Sequence, residues 1–431
     1  MNILLVGSGG REHALAWKLV QSPRCSKLYC TPGNAGIAAQ AQCVPINVDE
    51  IDRLVEFAKE NAIDLVVVGP ENPLVDGLAD RMSAAGIDVF GPSAKAAQLE
   101  GSKGFMKDLC AKYDILSAKY GRFIDVESAK IFIENTGAPI VVKTDGLAAG
   151  KGVIICETTD QAIEATKDML SGEAFGNAGL EVVIEEFLEG EEVSFFALAD
   201  GKTILPLTSA QDHKRVGDGD TGLNTGGMGA YSPAHFMTDA LEQQIIEDII
   251  EPTIRGMASE GCPFTGVLFA GLMIKDGKAT LLEHNIRFGD PECQALMMRL
   301  DGDLVDILQA AAQGRLEDVK DKVSWLDDPA LCVVMAANGY PGSYQKNTVI
   351  DGIDAANAVE NAYVFHAGTS KDDSGNIISV GGRVLGVTAS GDTIAQAQEQ
   401  AYKAVDAINW PDGFCRRDIG WRALKAKEEA A

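Results

Sequence analysis

The feature that most constrains the fold of this chain is a glycine-rich loop between two short apolar runs, at residues 139–155. The first run, at 140–142, ends in Lys143; the loop DGLAAGKG follows, and the second run occupies 153–155. Short β-branched runs flanked by glycine are typical of strands. The sequence therefore predicts strand, loop and strand, with Lys143 ending the first strand and Lys151 inside the loop.

The spacing within this loop excludes a P-loop. That motif needs G-x-x-x-x-G-K-[ST] opening into a helix, so that backbone N–H groups and the helix N-terminus hold the phosphates. Here the glycines are one residue too close, Gly152 stands where Ser or Thr is required, and a strand follows. Two interpretations are left: a mobile hairpin loop, or a lid that closes over a triphosphate. Two lysines beside three glycines favour the lid.

Composition restricts the class of protein and its partners. A length of 431 residues corresponds to two to four domains. The net charge of −26 argues against sequence-independent binding of nucleic acid, although a local cluster of lysine and arginine can still bind an anionic substrate. The nine cysteines lack metal-ligand spacing, and neither a signal peptide nor a membrane-length apolar run is found. We expect a cytoplasmic protein with no nucleic-acid or membrane partner.

The first hundred residues alternate between strand and helix patterns, which predicts a doubly wound parallel sheet. Strands are expected at 2–6, 28–30, 44–48, 65–68 and 89–90. The turns at 7–10, 32–36 and 69–73 should then lie at one edge of the sheet, where ligands bind. A dinucleotide fingerprint fails because Glu12 occupies its third glycine position. The phosphate of a smaller substrate fits this edge better.

A second candidate site follows a predicted hairpin, with strands at 266–274 and 279–283 and a turn at 276–277. Glu283 and Asn285 lie two residues apart and share one face of the strand. Their oxygens suit a Mg²⁺ that bridges phosphates, and Arg287, continuing that face, suits a phosphoryl or carboxylate oxygen. The alternative is a solvated strand edge. The polar stretch 211–232 is expected to be a long functional loop, and residues 241–260 a helix.

These stretches resemble the glycinamide ribonucleotide synthetase family of ATP-grasp ligases along nearly the whole chain. The segments that carry the resemblance are GSGGREHALAW, PGNAG, GPENPLVDG, GSKGFMK, KTDGLAAGKGV, IEEFLEGEE, SAQDHKRVGDGDTGLNTGGMGAYSP, LEHNIRFGDPE and FHAGT with GGRV.

The resemblance implies a multidomain α/β and α+β fold. Residues 1–102 would form the N-terminal substrate-binding domain with its doubly wound sheet, and 103–189 the ATP-grasp linker and lid. Residues 190–325 would form the ATP-grasp core with the metal site, and 326–431 a small C-terminal α+β domain. The chain would be a monomer or a weak homodimer.

The resemblance also implies a reaction. ATP would phosphorylate the carboxylate of glycine, and the amine of 5-phosphoribosylamine would attack the resulting glycyl phosphate, with Mg²⁺ or Mn²⁺ as the cofactor. Two other interpretations are kept: a ligase for a different acid or amine, and a nucleotide-binding regulatory protein.

For ATP, the resemblance implies that Lys103 and Lys143 contact the phosphates and that the glycine loop covers them. Adenine would be held by the segment 185–188, chiefly through backbone groups, and ribose by Glu192, with Glu191 as the neighbouring alternative. The implied ATP residues are Lys103, Lys143, Gly146, Gly150, Lys151, Gly152, Glu185, Glu186, Phe187, Leu188 and Glu192.

For the reacting groups, the implied catalytic residues are Arg287, Lys143, Asp212 and Lys214. The implied metal ligands are Glu283 and Asn285. The implied substrate residues are Gly9, Gly10, Asn34, Glu71, Gly226, Gly227, Arg287 and Asp290.

One position departs from the family pattern. Many ATP-grasp enzymes carry a further acidic metal ligand on the preceding strand, and the corresponding position here is Gly271. A water molecule or a phosphate oxygen is expected to take its place.

Overall fold

The computed structural model describes residues 1–147, 152–172 and 181–429. The N-terminal part is a five-stranded parallel sheet in the order β3-β2-β1-β4-β5, with helices on both faces, so the predicted doubly wound sheet is confirmed. Its strands are β1 Asn2–Gly7, β2 Lys27–Pro32, β3 Gln42–Cys43, β4 Leu65–Val68 and β5 Asp88–Phe90. Its helices are α1 Gly10–Leu19, α2 Ile51–Glu60, α3 Asn72–Val75, α4 Leu78–Ala84 and α5 Ala94–Gly101, with a 3₁₀ turn at Ile37–Ala39.

The strand predicted at 44–48 is wrong. The structure has only the two-residue strand β3 at Gln42–Cys43, and the chain leaves the sheet afterwards. Pro45 lies at this point, and proline has no N–H to donate to a strand ladder. The predicted turns do meet at one edge, since Gly33 N–H donates to the Gly7 carbonyl at 3.1 Å and Gly69 N–H to that of Val6 at 2.9 Å.

The part predicted to be the lid, which keeps that name below, is a separate four-stranded sheet in the order β6-β9-β7-β8 with two helices on it. The predicted strands around the glycine loop are confirmed as an antiparallel pair, in which Lys143 lies opposite Val153. A helix, α6 Lys103–Lys112, connects the lid to the N-terminal part. The lid elements are β6 Tyr120–Phe123, α7 Val126–Thr136, β7 Ile140–Thr144, β8 Val153–Cys156, α8 Thr159–Leu170 and β9 Val182–Glu186.

The rest of the chain is built on one long antiparallel sheet in the order β16-β15-β10-β11-β14-β19-β23-β20, with β24 paired to β19. β14 joins the two halves, because it pairs with β11 at Gln211↔Tyr231 and with β19 at Gly229↔Val333. The strands are β10 Glu191–Asp200, β11 Ile204–Asp212, β12 Arg215–Gly217, β13 Thr221–Asn224, β14 Gly229–Ser232, β15 Thr265–Lys275, β16 Lys278–Asn285, β17 Leu300–Asp301, β18 Ser324–Trp325, β19 Ala330–Ala337, β20 Ala362–His366, β21 Thr369–Lys371, β22 Ile377–Ser379, β23 Arg383–Ser390 and β24 Gly413–Phe414.

Helices cover this sheet. They are α9 Asp239–Ile245, α10 Glu251–Ser259, α11 Glu292–Arg299, α12 Leu304–Ala312, α13 Ile353–Asn357, α14 Ile394–Ala407 and α15 Trp421–Glu429, with 3₁₀ turns at Leu316–Asp318 and Lys320–Lys322. The predicted helix at 241–260 is interrupted by a π-helical turn, Ile246–Ile250, just before Pro252, whose missing N–H cannot complete an α-helical ladder. The sheet runs across the predicted boundary at residue 325, and the four predicted domain ranges stay predictions.

The polar stretch at 211–232 is not the long loop that its composition predicts. It contains a two-stranded hairpin, β12–β13, and the strand β14. The hairpin reverses at Gly219 and Asp220, whose φ angles of 68° and 57° lie in the left-handed region that Gly and Asp adopt most easily. The predicted hairpin of β15 and β16 is confirmed; its two-residue turn has Asp276 at φ 51° and Gly277 at φ 72°.

A shared apolar core fixes the N-terminal sheet against the long sheet. Ile3 and Leu5 of β1 pack in one buried cluster with Phe196 and Phe269, whose ring centroids are 4.7 Å apart. The carboxyl edge of the N-terminal sheet therefore faces the end of β16, where the predicted metal ligands lie. Among the described residues, no helix is both long enough and apolar enough to span a lipid bilayer.

Candidate functional site

The first lysine of the site is placed by the start of α6. The Ser102 hydroxyl accepts the Phe105 N–H at 3.0 Å, and the Asp145 carboxylate accepts the Gly104 N–H at 2.6 Å. These side chains satisfy N–H groups that the first helical turn leaves unpaired. Lys103, the first residue of α6, is thereby directed at the glycine loop, where its Nζ donates to the Gly146 carbonyl at 3.2 Å.

A buried ion cluster holds the second lysine. Lys143 Nζ lies 2.9 Å from one carboxylate oxygen of Glu185, and Lys107 Nζ lies 3.1 Å from the other. The side chains of Lys107 and Glu185 are 0% and 2% exposed. Burial and the neighbouring Lys143 lower the pKa of Lys107, and Glu185 opposes that shift. Glu185, expected beside adenine, thus has its carboxylate engaged by two lysines.

Lys107 was not predicted from the sequence. A signal for it exists, because Lys103 and Lys107 are four residues apart and therefore on one face of a helix. Of the other residues in the adenine segment, Glu186 ends β9, and Phe187 and Leu188 follow the strand. The Glu186 N–H donates to the Lys119 carbonyl at 3.0 Å, and Phe187 is exposed. Gly152 accepts the Thr144 N–H at 2.9 Å, whereas Gly150 and Lys151 lie outside the described residues.

Glu192 and Glu191 point to opposite faces of β10, as neighbours on a strand do. Glu192 forms an ion pair with Lys214, and its backbone carbonyl accepts from Gln211 Nε2 at 2.9 Å. Glu191 faces away from this pair, with its carboxylate 4.0 Å from His235 Nε2. Burial opposes the charge on Lys214, but Glu192 and Glu283 raise its pKa overall. Of the two glutamates, Glu192 lies on the face that carries the other predicted site residues.

The predicted metal ligands lie at the end of β16. Gly271 pairs with Glu283 and Leu272 with Leu281, so Leu282 is the extra residue of a β-bulge, a feature common beside active sites. His284 points away as predicted, with its Nε2 3.0 Å from the Thr253 hydroxyl. A Cβ added to Gly271 would lie 3.3 Å from Glu283 Cγ. Any side chain at position 271 would therefore press on the Glu283 methylene.

These ligands fit a divalent cation that is also bound by phosphate. The described part of the chain contains no group of three or more His, Cys, Asp or Glu side chains suited to a metal. Mg²⁺ commonly uses one or two protein oxygens together with substrate phosphates, and Glu283 and Asn285 match that donor set. Burial would raise the pKa of Glu283, but Lys214, Lys143, Lys103 and Arg287 lower it below its ordinary value. The four cations therefore favour the ionised form of this carboxylate.

Arg287 follows the end of β16, so the strand alternation predicted for it stops at Asn285. Its Nε lies 3.2 Å from the Glu71 carboxylate, and its Nη2 lies 3.0 Å from the Glu100 carboxylate. Arg287 and Arg11 lower the pKa of Glu71 against the opposing effect of burial. Glu100 is more deeply enclosed, and burial raises its pKa to about 7 in spite of Arg287. No sequence pattern indicates Glu100, since only the packing of α5 brings it here.

A pair of carboxylates lies beside the glycines at 226 and 227. Burial and the neighbouring Glu292 raise the pKa of Asp212 to about 8, and burial raises that of Glu292. One Asp212 oxygen is buried without a hydrogen-bond partner in the described part of the chain. Gly227 has a φ of 108°, and a Cβ there would lie 2.8 Å from Asp212 Oδ1. Only glycine allows the chain to pass so close to this carboxylate.

A cavity of about 310 Å³ adjoins these groups and is lined by Gly9, Asn34, Asp290, Thr369 and Arg383, among others. It brings together the N-terminal turns, the loop before α11 and the C-terminal part. Asp290 accepts the Arg11 N–H at 3.2 Å and lies 3.7 Å from Arg383 Nη2. Arg383 and Thr369 were not predicted, because the GGRV and FHAGT segments show no chemistry until the fold brings them here.

Two predicted substrate residues have structural contacts of their own. The Asn34 amide donates at 2.8 Å to the carbonyls of both Ser8 and His366, and its oxygen accepts the N–H groups of Gly36 and Ile37. Gly10 opens α1, and a Cβ there would lie 2.5 Å from Gln294 Nε2. Asn34 thus ties two N-terminal turns to the C-terminal part at the cavity wall.

Comparison with known families decides the identity. The model of the phosphoribosylglycinamide synthetase N domain matches residues 1–100, that of the ATP-grasp (A) domain residues 101–293, and that of the C domain residues 330–422. The chain belongs to the phosphoribosylglycinamide synthetase family. The resemblance inferred from the sequence motifs is confirmed, and this phosphoribosylglycinamide synthetase family member is an ATP-grasp ligase.

Relatives agree over full length. Phosphoribosylamine–glycine ligases of Agrobacterium fabrum and Brucella melitensis are 59% and 58% identical, covering 100% of both chains in the first case and 99% in the second. The crystal structure of phosphoribosylamine–glycine ligase from Thermotoga maritima superposes with a TM-score of 0.85 at 32% identity, covering 97% of this chain and 100% of that one. A biotin carboxylase domain from Hydrogenobacter thermophilus, in complex with MgADP, shares the fold at 16% identity and a TM-score of 0.74.

Proposed function

We propose that this family member ligates glycine to 5-phosphoribosylamine, giving glycinamide ribonucleotide, ADP and phosphate through glycyl phosphate. The observation that carries the proposal is that Lys103, Lys143, Lys214 and Arg287 all lie near enough to Glu283 for their charges to lower its pKa against the effect of burial. Such a cluster of cations around one metal-type carboxylate suits a triphosphate and its divalent ion. The high identity to phosphoribosylamine–glycine ligases supports the choice of substrates.

ATP would lie between the lid and β16. Lys103 and Lys143 would bind its phosphates, the glycine loop would cover them, and Glu192 would accept from the ribose hydroxyls. Negative charge spreads over the oxygens of a phosphoryl group in transfer, so prepositioned cations stabilise it without reorganising. The Lys107–Glu185 pair would hold Lys143 in place, because its ammonium is fixed by a buried carboxylate.

Glu283 and Asn285 would hold the divalent cation, Mg²⁺ or Mn²⁺, which when bound neutralises phosphate charge. A water molecule or a phosphate oxygen would occupy the position that the missing carboxylate at Gly271 leaves. The glycine carboxylate would pair with Arg287 and attack the terminal phosphorus. Enclosure by the lid would protect the acyl phosphate from water.

5-Phosphoribosylamine would occupy the cavity of about 310 Å³ beside Gly9, Asn34 and Asp290. Its amine would attack the acyl carbon and release phosphate, and the amine has to lose a proton in this step. Asp212 suits the proton acceptor, since a carboxylate whose pKa is raised to about 8 is a stronger base than an exposed one. Lys214, Gly226 and Gly227 would border the same space.

The test is glycine-dependent release of ADP from Mg-ATP in the presence of freshly prepared 5-phosphoribosylamine, with the product identified by its mass. Addition of hydroxylamine in place of the amine should yield glycine hydroxamate, the trapped acyl phosphate. Replacing glycine by alanine or β-alanine, and 5-phosphoribosylamine by other amines, tests the alternative of a different ligase. ADP release that does not depend on glycine would reject the proposal.

Three further properties stay predictions. A cytoplasmic location is checked by cell fractionation, the monomeric or weakly dimeric state by sedimentation, and the choice between Mg²⁺ and Mn²⁺ by metal titration of nucleotide binding.

A further inference from the structure

The C-terminal segment holds the hairpin β12–β13 through a buried arginine. Arg416 is 1% exposed although it lies near the chain end. Its Nε donates to one carboxylate oxygen of Asp418 and its Nη2 donates to the other, both at 2.7 Å. Its Nη1 donates to the Asp220 carboxylate at 2.9 Å and to the Arg215 carbonyl at 3.1 Å. One guanidinium therefore binds both the first residue of β12 and the turn of the hairpin, about two hundred residues away in sequence.

Neighbouring residues add contacts between the C-terminal segment and the hairpin region. We name residues 416–422 the C-terminal clamp. The Asp418 carboxylate accepts the Gly219 N–H at 2.7 Å, and Arg422 pairs with Asp220 at 2.5 Å. The Gly420 N–H donates to His213 Nε2 at 3.2 Å. The clamp thus contacts the hairpin at its turn and the backbone segment that leads into it.

The clamped segment carries predicted reaction groups at both ends. His213 lies between Asp212 and Lys214, and its backbone pairs with that of Met228 and Gly229 at 2.9 Å. The Thr225 N–H donates to the Lys214 carbonyl at 2.8 Å. Any shift of the hairpin is therefore passed directly to Lys214 on one side and to the glycines at 226–227 on the other.

The hairpin does not hold itself in position. β13 is exposed along its whole length, and β12 is only half-buried. An isolated two-stranded hairpin is marginally stable in water, so contacts from outside the hairpin fix its geometry: those of the clamp, and the packing of Val216 against the C-terminal core.

We propose that Arg416 is a positioning residue for the ligation reaction, setting the location of Lys214 and of Gly226–Gly227 through the β12–β13 hairpin. This inference rests on the proposed function only because its kinetic test measures the ligation of glycine to 5-phosphoribosylamine. A planar guanidinium binds two carboxylates and a carbonyl at once, which the single ammonium of lysine does not reproduce. A substitution that keeps only the positive charge at position 416 should therefore not hold the hairpin in its position.

The experiment compares Arg416→Lys with Arg417→Gln. Arg417 is the matched control, because its side chain is exposed, pairs with Asp406 and lies over the Tyr402 ring, and among the described residues it has no side-chain contact with the hairpin. In Arg416→Lys we expect kcat to fall by about tenfold to hundredfold, as misplacement near 1 Å does, with less than a threefold change in KM for ATP. Amide hydrogen exchange at residues 213–227 should accelerate about tenfold, while that of β10 stays unchanged. Arg417→Gln should match the wild type in both readouts.

A role confined to stability would lower the unfolding midpoint but leave kcat per folded molecule and local exchange at 25 °C unchanged, which would overturn the proposal. If Arg416→Lys does not fold, Asp220→Asn removes the same contact from the hairpin side and has the same expected results. Wild-type protein that fails to turn over glycine and 5-phosphoribosylamine rejects the proposed function, whereas the exchange experiment still decides whether Arg416 fixes the hairpin.

Discussion

The substitution Glu100→Gln tests whether burial or ion pairing controls the charge beside Arg287. Glu100 is 8% exposed, accepts the Ile286 N–H at 2.8 Å and lies 3.0 Å from Arg287. Burial nonetheless raises its pKa from 4.5 to about 7. The folded protein then binds a proton that the unfolded chain has released, so stability falls as pH rises from about 4.5 to 7.

The size of this loss follows from the shift. At about 1.4 kcal/mol for each pH unit, the wild type loses about 3 kcal/mol between pH 4.5 and pH 8. Glutamine mimics the protonated acid, so Glu100→Gln should equal the wild type near pH 5 and exceed its stability by about 3 kcal/mol at pH 8. With an unfolding entropy of about 2.1 cal/mol/K per residue, this corresponds to roughly 3 °C in thermal midpoint if the whole chain unfolds together.

The assay is the difference in thermal midpoint between variant and wild type, measured by calorimetry from pH 5 to pH 8.5. Glu71→Gln is the matched control, since Glu71 binds the same arginine but its pKa is lowered. Its stabilising contribution is present above its unfolded pKa and is lost as pH falls, so Glu71→Gln should be destabilised at pH 8. A Glu100→Gln variant that is less stable than wild type at pH 8 would refute the reasoning, because ion pairing would then outweigh burial.

Three other substitutions test the site. Glu283→Gln should weaken binding of ADP in Mg²⁺ by about tenfold to hundredfold while leaving metal-free ADP binding intact, measured by calorimetry; equal losses in both would contradict a metal role. Lys107→Met should destabilise the protein by about 3 kcal/mol in urea unfolding, because it removes one cation from the buried Glu185, and adding Glu185→Gln should recover part of the loss. Arg383→Gln should raise KM for 5-phosphoribosylamine about tenfold with KM for ATP unchanged, and a rise in both would remove Arg383 from the cavity wall's function.

Local patterns were sufficient where a site is built within one element. Glu283 and Asn285 share a face because strand geometry repeats every two residues, and His284 points into the core for the same reason. The turns of the N-terminal sheet meet because parallel strands end at a common edge. These parts of the fold and candidate site follow from residues close in sequence.

Contacts between distant segments could not be predicted in this way. Glu100 and Arg383 reach the site through packing of α5 and β23, and no local pattern distinguishes them from surface charges. The loop prediction for 211–232 is wrong because glycines and aspartates, although typical of loops, equally support the left-handed φ angles of a tight hairpin turn. Its strand β14 pairs with β19, about a hundred residues further along the chain, and its hairpin is contacted by Arg416 from about two hundred residues away.

The continuous sheet through β14 determines where this molecule can open. A rotation of the C-terminal part away from the core would break the main-chain hydrogen bonds that β14 makes with β11 and β19. Rotation of the four-stranded unit about the chain crossings at 113–119 and 187–190 would keep its own ladder intact and break few main-chain hydrogen bonds, such as the one from the Lys103 N–H to the Asp145 carbonyl at 3.1 Å. We therefore expect nucleotide entry and product exit to use motion of the four-stranded unit alone, while the long sheet on the other side of the site stays fixed.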